Sequence, residues 1–425
     1  MGVYYPRALV VLDVLLEDYG DGSPTDTHQI VAIPRQVTIH RNDHREADTA
    51  AVELEWRDLP LDPRAIRQAR IGVYLADVGD PTAQLAPEDD EALRFVGLVD
   101  EVELEHAEGS RVRLEARDYT CLLLDQPWGG EAIPIDQSLL DVVRSVLEAV
   151  PGASGIEVVD EAGASGVVLS ELLGRTRWAP QDRDDAWTVL VDLCGLVGLV
   201  PVIVLDQLRI RSATGTTGTV AAFVWGSDLT RLRARRVYNE VRTAQVQVTC
   251  WDEAARESRD ATWPTEPIVL RQRVGADGQV QTDTAPLIRY YVAGSFSVDR
   301  LEDLARAIYD EGARRQVEVE IETKEMRDWL DEEDVAALAN GDALLLRLQP
   351  EHERSIRSMS HGEAVAWLTS GPRGLPSLVA EALVAAVERA DDLATRFYVS
   401  KAVHRWSWDG GYEVQITALN YVGPS

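Results

Sequence analysis

The sequence predicts a mainly β chain of the α+β class, two β-barrel-like units in one chain with α+β insertions. Three observations carry that prediction. Apolar and polar residues alternate near both ends, as where Val102 and Leu104 stand among acids, which is the pattern of half-buried strands. From Ile135 to Arg211 the apolar spacing becomes helical. A long hairpin pattern also occurs twice, once near residue 100 and once at the end of the chain.

Taken in order, the apolar run Ala8 to Leu16 is short, broken by Asp13 and followed by acids, so it reads as a strand and not as a signal segment. Val37 and Ile39 end one strand, and Val52, Leu54 and Trp56 alternate along the next. Ile71 to Ala76 is a further strand. After an acidic excursion, Val102 and Leu104 run into a turn, and Val112, Leu114 and Ala116 return. The spacing of Leu139, Leu140, Val143, Val146 and Leu147 predicts a helix with Asp136 or Ser138 as its cap and Pro151-Gly152 as its stop. A second helix carries Trp187, Leu190, Val191 and Cys194, capped by Asp184 or Asp185 and ended by Gly198. Strands resume at Leu229. A protruding hairpin is expected at 264–294, a helix capped by Ser297 or Asp299 follows, then strands, and a second helical excursion carries Leu378, Leu383 and Val387 before the terminal hairpin.

Composition removes several function classes. At 425 residues with 45% hydrophobic content, the chain is globular and too long for one ordinary core. It carries 72 acidic against 42 basic residues, a formal charge of -30. Such a surface repels phosphate backbones, so sequence-reading nucleic-acid binding is not expected. No stretch reaches membrane-spanning length, and no membrane insertion is expected. Cys121, Cys194 and Cys250 are scattered and odd in number, which suits buried thiols in a reducing compartment.

Candidate sites are few. His40 and His44 lie four apart, with Asp43 and Glu46 alongside, but the flanking strands make this a hairpin loop, and no third His or Cys is near to complete a metal site. Arg231, Arg233 and Arg235 share one strand face; in so acidic a chain, ion pairing within the fold or its assembly is the expected use, ahead of phosphate binding. Trp406 and Trp408 read as one packed strand face, with a sugar platform as the other reading. No nucleophile elbow, phosphate loop, zinc-helix motif or dinucleotide fingerprint is present. No catalytic, cofactor-binding or metal-binding residue is therefore assigned, and no cofactor is expected.

The repeat sets "RFVGLVDEVELEHAEGSRVRLEARDYT" from Arg94 beside "RFYVSKAVHRWSWDGGYEVQITALNYV" from Arg396. Without a gap, Phe95 meets Phe397, Gly109 meets Gly411, Val112 meets Val414, Ala116 meets Ala418 and Tyr119 meets Tyr421. A barrel-like unit used twice is the simplest origin. With "DAWTVLVDLCGLVGLVPVIVLDQLRIR", "VYNEVRT" and "NGDALLLRLQP", the chain resembles the baseplate hub proteins of contractile phage tails and related injection systems, the T4 hub subunit and late control D family. The likeness is one of order and texture over most of the chain.

That resemblance implies a first tail-tube-like barrel at 1–126, an α+β insert at 127–213, a second barrel beginning at 214–350, a helical insertion at 351–395 and a terminal hairpin at 396–425 that completes it. It implies a homotrimeric structural hub adapting a sixfold tail tube to a threefold spike, at the end of the ejection channel, in a virion or injection-system baseplate assembled in the host cytoplasm. The expected partners are a tube protein or tube initiator, a separate spike, wedge proteins, the tape measure protein, and DNA or cargo passing without sequence-specific contact. If part of the acidic excess lined the channel, like charge would keep cargo from sticking. A tail-associated peptidoglycan hydrolase and a glycan-binding tail-tip module are the other two readings.

Overall fold

The computed structural model describes residues 5–17, 24–59, 66–78, 80, 82–107, 109–129, 131–173, 176–181, 183–212, 219–236, 245–252, 255–274, 280–292, 296, 298–314, 317–324, 338, 340–370, 374–389 and 395–420. The chain opens with β1 (Pro6–Glu17), β2 (Pro24–Ala32), β3 (Gln36–Arg41), β4 (Thr49–Glu55), β5 (Ile66–Asp77), β6 (Leu93–Ala107) and β7 (Gly109–Arg117). Val37, Ile39, Val52, Leu54, Val112 and Leu114 are buried while their neighbours in sequence face outward, because successive side chains on a strand point to opposite faces.

An α+β excursion follows: α1 (Thr120–Leu124), β8 (Ile133–Pro134), α2 (Leu139–Ala149), β9 (Glu157–Asp160), α3 (Leu169–Leu173), β10 (Arg177–Trp178), α4 (Ala186–Gly195), β11 (Leu199–Val204) and β12 (Gln207–Ser212). Both long helices begin where a short polar side chain can cap them. Ser138 accepts from the Asp141 amide and Asp185 from the Thr188 amide, which satisfies a donor that the first helical turn leaves free.

The chain then lays down β13 (Thr219–Trp225) and β14 (Leu229–Arg236), leaves through β15 (Gln245–Asp252), β16 (Glu257–Trp263), β17 (Val269–Val274), β18 (Val280–Thr284), β19 (Leu287–Val292) and α5 (Val298–Arg314), and returns at β20 (Val317–Thr323) and β21 (Ala343–Leu348). Helices α6 (Pro350–Ile356), α7 (His361–Thr369) and α8 (Ser377–Arg389) precede the last hairpin, β22 (Arg396–Ser407) and β23 (Gly411–Asn420). Ser360 and Glu363 close a capping box at the start of α7. On α8 the buried face is Val379, Ala380, Leu383 and Val384, with Val387 packed at its margin.

Thirteen strands form one sheet, in the order β14-β20-β23-β22-β3-β4-β7-β6-β5-β1-β2, with β21 joining β22 to β13. The same neighbour order occurs twice. Strands β5-β6-β7-β4-β3 of the first unit match β21-β22-β23-β20-β14 of the second. Two barrels were expected; among the described residues no barrel closes, and the units instead run together through the pairing of β22 with β3. The reason lies in β22. Its first residues, Arg396 to Tyr398, pair with β21, and after a bulge at Ser400 its remainder, Ala402 to Ser407, pairs with β3. Both units also bury their apolar faces in one shared core, to which Leu114, Ile39, Ile416 and Val319 all contribute.

Cross-strand register corrects the gapless alignment of the two hairpins. In β6 the bulge at Asp100 lies beside the pair Val99–Ala116, and in β22 the bulge at Ser400 lies beside Val399–Ala418. The returning strands thus correspond as the sequence suggests, but the outgoing strands are displaced by two residues, Leu104 matching His404 opposite Val112 and Val414. The longer turn between Ser407 and Gly411 absorbs the difference. An even displacement keeps every side chain on its own face, so the burial pattern conceals the slip.

A second core joins α2, α4, β11 and β12 to side chains from β15, β16 and α5, including Val246, Val248, Ala261, Leu301 and Ala305. Side chains of β15, β16 and α5 therefore share the core of the excursion, within the 214–350 that was expected to form one unit. The protruding hairpin expected at 264–294 is narrower, β17 with β18, since β19 pairs in parallel with β15. Its predicted turn at Ala276 to Gln279 and the Ser297 cap lie outside the described residues.

Candidate functional site

The large sheet has one apolar face, packed into the shared core, and an opposite face that is mostly polar but carries a small apolar cluster of Leu9, Val11, Tyr74 and Ala92 at β1 and β5. Ion pairs run across the polar face. On β14, Arg231, Arg233 and Arg235 reach Glu322, Glu320 and Glu318 of β20 at 3.2, 3.5 and 2.7 Å. This is the use expected of the arginine stripe. Farther along, Arg111 meets Glu53 at 3.1 Å, Arg113 meets Glu115 at 2.7 Å, and Arg117 holds Asp100 and Asp125 at 2.6 and 2.8 Å. The hydrogen bonds that Arg117 donates to those two carboxylates raise its pKa and, for Asp125, hold the carboxyl below its ordinary range.

Among the described residues, β2 and β13 end this sheet with a ladder on one side only, and so do two further stretches: β6 beyond its bulge pairs only with β7, and β14 pairs only with β20. Leu104, in the one-sided part of β6, is 47% exposed.

The junction between the units holds a buried polar cluster. Arg41 donates to the Asp48 carboxylate at 2.9 Å and to the Arg94 carbonyl, and the Asn42 amide also donates to Asp48, at 2.7 Å. The Asp118 amide donates to the Asp48 carbonyl at 2.9 Å. The Asp118 carboxylate accepts from the amide and hydroxyl of Thr120, both at 3.1 Å. Burial raises the Asp48 pKa against the pull of Arg41. Burial, aided by the Asp48 charge, lifts Asp118 well above its ordinary range. On β22, His404 is buried with Nδ1 2.7 Å from the Tyr412 hydroxyl, and burial beside Arg41 and Arg94 holds its pKa well below the usual value.

Of the two histidines expected in a loop, His44 is in the β3–β4 hairpin connection, whereas His40 is in β3 itself. His44 Nδ1 lies 2.6 Å from Asp43 and the His44 carbonyl accepts from Trp187 Nε1 at 2.8 Å, which ties the hairpin to α4. His40 is in the ladder opposite Thr49, its pKa lowered chiefly by burial. Among the described residues, no group of three His, Cys, Asp or Glu side chains could hold a metal ion. The three cysteines are buried and free, and burial pushes Cys121 and Cys194 up to about 12.

Trp406 and Trp408 do not form one packed face. Trp406 is 3% exposed and donates to the Pro6 carbonyl at 3.2 Å, whereas Trp408 lies beyond the end of β22 and is 69% exposed. A stacked sugar platform needs both rings accessible. What sequence reasoning missed is the buried cluster, because Arg41 and Asp48 look like loop charges and only the pairing of β22 with β3 brings His404 to them. Among the described residues no helix is long and apolar enough to cross a membrane.

This fold is shared with solved tail proteins. The chain superposes on the tail protein of Neisseria meningitidis MC58 with a TM-score of 0.57 at 11% identity, covering 97% of this chain and 96% of that one. It superposes on the 43 kDa tail protein of prophage MuSo2 from Shewanella oneidensis with a TM-score of 0.55 at 13% identity, covering 97% and 98%. A component of the Escherichia coli type VI secretion system, c3393, gives 0.48 at 11% identity over 97% of this chain and 77% of that one. No protein-family model and no curated protein matches the sequence.

Proposed function

We propose that this chain is the structural hub of a tail baseplate, a homotrimer that adapts a sixfold tail tube to a threefold spike and forms the end of the ejection channel. The observation that carries the reading is the repeated strand order within one continuous sheet. A chain with two like units, placed three times around an axis, presents six similar edges to a tube while keeping threefold symmetry toward a spike. The fold shared with two tail proteins, one of them from a prophage, over nearly their whole length supports the setting. The role is mechanical and non-enzymatic, in a virion tail or an injection-system baseplate assembled in the host cytoplasm. A tube protein, a spike, wedge proteins and the tape measure protein are the proposed neighbours.

In this reading the tube-like units correspond to 1–126 and to β13, β14, β20 and β21 with 396–425, and the excursion at 127–213, the segment from β15 to α5 and the excursion at 351–395 lie outside the ring. The polar face would line the channel. Its arginines are matched by carboxylates, so passing DNA or protein meets few unpaired cations. Low adsorption then follows from internal neutralisation, a different origin from the acidic lining considered for the sequence. Light scattering after size exclusion, on the chain alone and mixed with its tube protein, tests the proposal. A trimer is expected; a monomer that ignores the tube protein would refute it.

A further inference from the structure

We infer that the outer half of β6 in one copy pairs antiparallel with β14 of the next copy, in the register that β22 and β3 already use within the chain. The inference deepens the hub reading and depends on it only for the number of copies in the ring. Ile39 and Ala234 occupy equivalent places: Ile39 faces Ala50 and through it Ala116, while Ala234 faces Val319 and through it Ala418. Leu104 and His404 are equivalent in the same way, opposite Val112 and Val414. Within the chain His404 pairs with Ile39, so between chains Leu104 falls opposite Ala234.

The neighbouring positions follow without further choice. Val403 pairs with His40 and Arg405 with Thr38, which places Glu103 opposite Arg235 and Glu105 opposite Arg233. Both predicted pairs join opposite charges, on the face where the arginines already meet Glu318 and Glu320. Cross-strand opposite charges stabilise pairing, and like charges oppose it. The two edges are also dissimilar, acids on β6 and arginines on β14, so two copies of the same edge repel each other. The contact is therefore head-to-tail, the kind that builds rings, and not a twofold dimer. Burial agrees: His404 is 1% exposed beneath its neighbour β3, while Leu104, in the equivalent place, is 47% exposed. A one-sided ladder with an exposed leucine is an aggregation liability unless a strand covers it.

Directly opposed residues of an antiparallel pair have Cα atoms about 4.5–5.5 Å apart, within disulfide reach. The test combines Glu103→Cys with Arg235→Cys in the full chain, oxidised alone and with the tube protein, beside the off-register control Glu103→Cys with Arg231→Cys. The native cysteines are buried and do not compete. Covalent dimers and trimers from the first pair and none from the control are expected. Reversing Glu103 and Glu105 to Arg should weaken association about tenfold to thirtyfold, and adding Arg233→Glu and Arg235→Glu should restore it. A trimer by light scattering that never cross-links at 103–235 would overturn the strand pairing and leave the hub standing. A cross-linked ladder extending past the trimer would uphold the pairing and overturn the three-copy hub. A monomer that cross-links under neither condition would overturn both.

Discussion

Gly97 should be irreplaceable. A Cβ added there would sit 2.2 Å from the Arg117 carbonyl oxygen, 2.8 Å from its carbon and 2.8 Å from a ring atom of Phe95. Carbon contacts are normally about 3.5–4.0 Å, so Gly97→Ala demands a shift of roughly an ångström between β6 and β7 and displaces the fully buried Phe95 ring. Overpacking costs about 1–3 kcal/mol, and losing part of the packing of a core phenylalanine, worth about 3–5 kcal/mol in full, adds to it. The expected destabilisation is about 3 kcal/mol, read from the urea midpoint with an unchanged slope. Placing the substitution in a Phe95→Ala background separates the two contacts. The backbone clash persists there, so a residual cost of about 1 kcal/mol or more is expected. A loss below about 0.5 kcal/mol for Gly97→Ala in the intact chain would refute the close approach of the two strands.

Other outcomes follow from the junction and the helices. Arg41→Leu leaves the Asp48 carboxylate buried without its cation and should cost about 3–5 kcal/mol in urea melts, most of it recovered when Asp48 also becomes Leu. The His404 pKa is depressed in the folded state, so the unfolded chain takes up the extra proton below the ordinary histidine value of about 6.5, and stability falls as pH drops through that range. His404→Gln should flatten this acid limb, compared by melting at successive pH values. Asp118 has the opposite sign: its raised folded pKa means that stability declines as pH rises from about 4, and Asp118→Asn should remove that decline. Gly195, at the end of α4, has open space around an added Cβ, and Gly195→Ala should raise stability by about 0.5–1 kcal/mol in the same assay.

Local features were legible in the sequence and long-range ones were not. The caps at Ser138 and Asp185 and the hairpin of β6 with β7 each depend on residues within a few positions, and their chemistry is written in those residues. The pairing of β22 with β3 joins residues more than 350 positions apart; Ala402 faces Arg41. Neither strand carries a signal that names the other, since any alternating strand offers the same backbone ladder. The buried cluster shares that fate because Asp48, Asp118 and His404 meet only after the sheet is assembled. The second core was obscured by chain order, with Val248 and Leu301 lying far along the chain from Leu190 and Val143, which they join.

The displacement between the two hairpins bears on how such duplicated chains diverge. One residue gained or lost in a turn would turn an entire strand inside out, exposing its apolar side chains and burying its charges. Two residues leave both faces intact, and the turn before Gly411 differs from that before Gly109 by that number. Where a turn of changed length also shifts the register, an even step is the one that needs no compensating bulge, so the two hairpins keep the same buried faces although their turns differ.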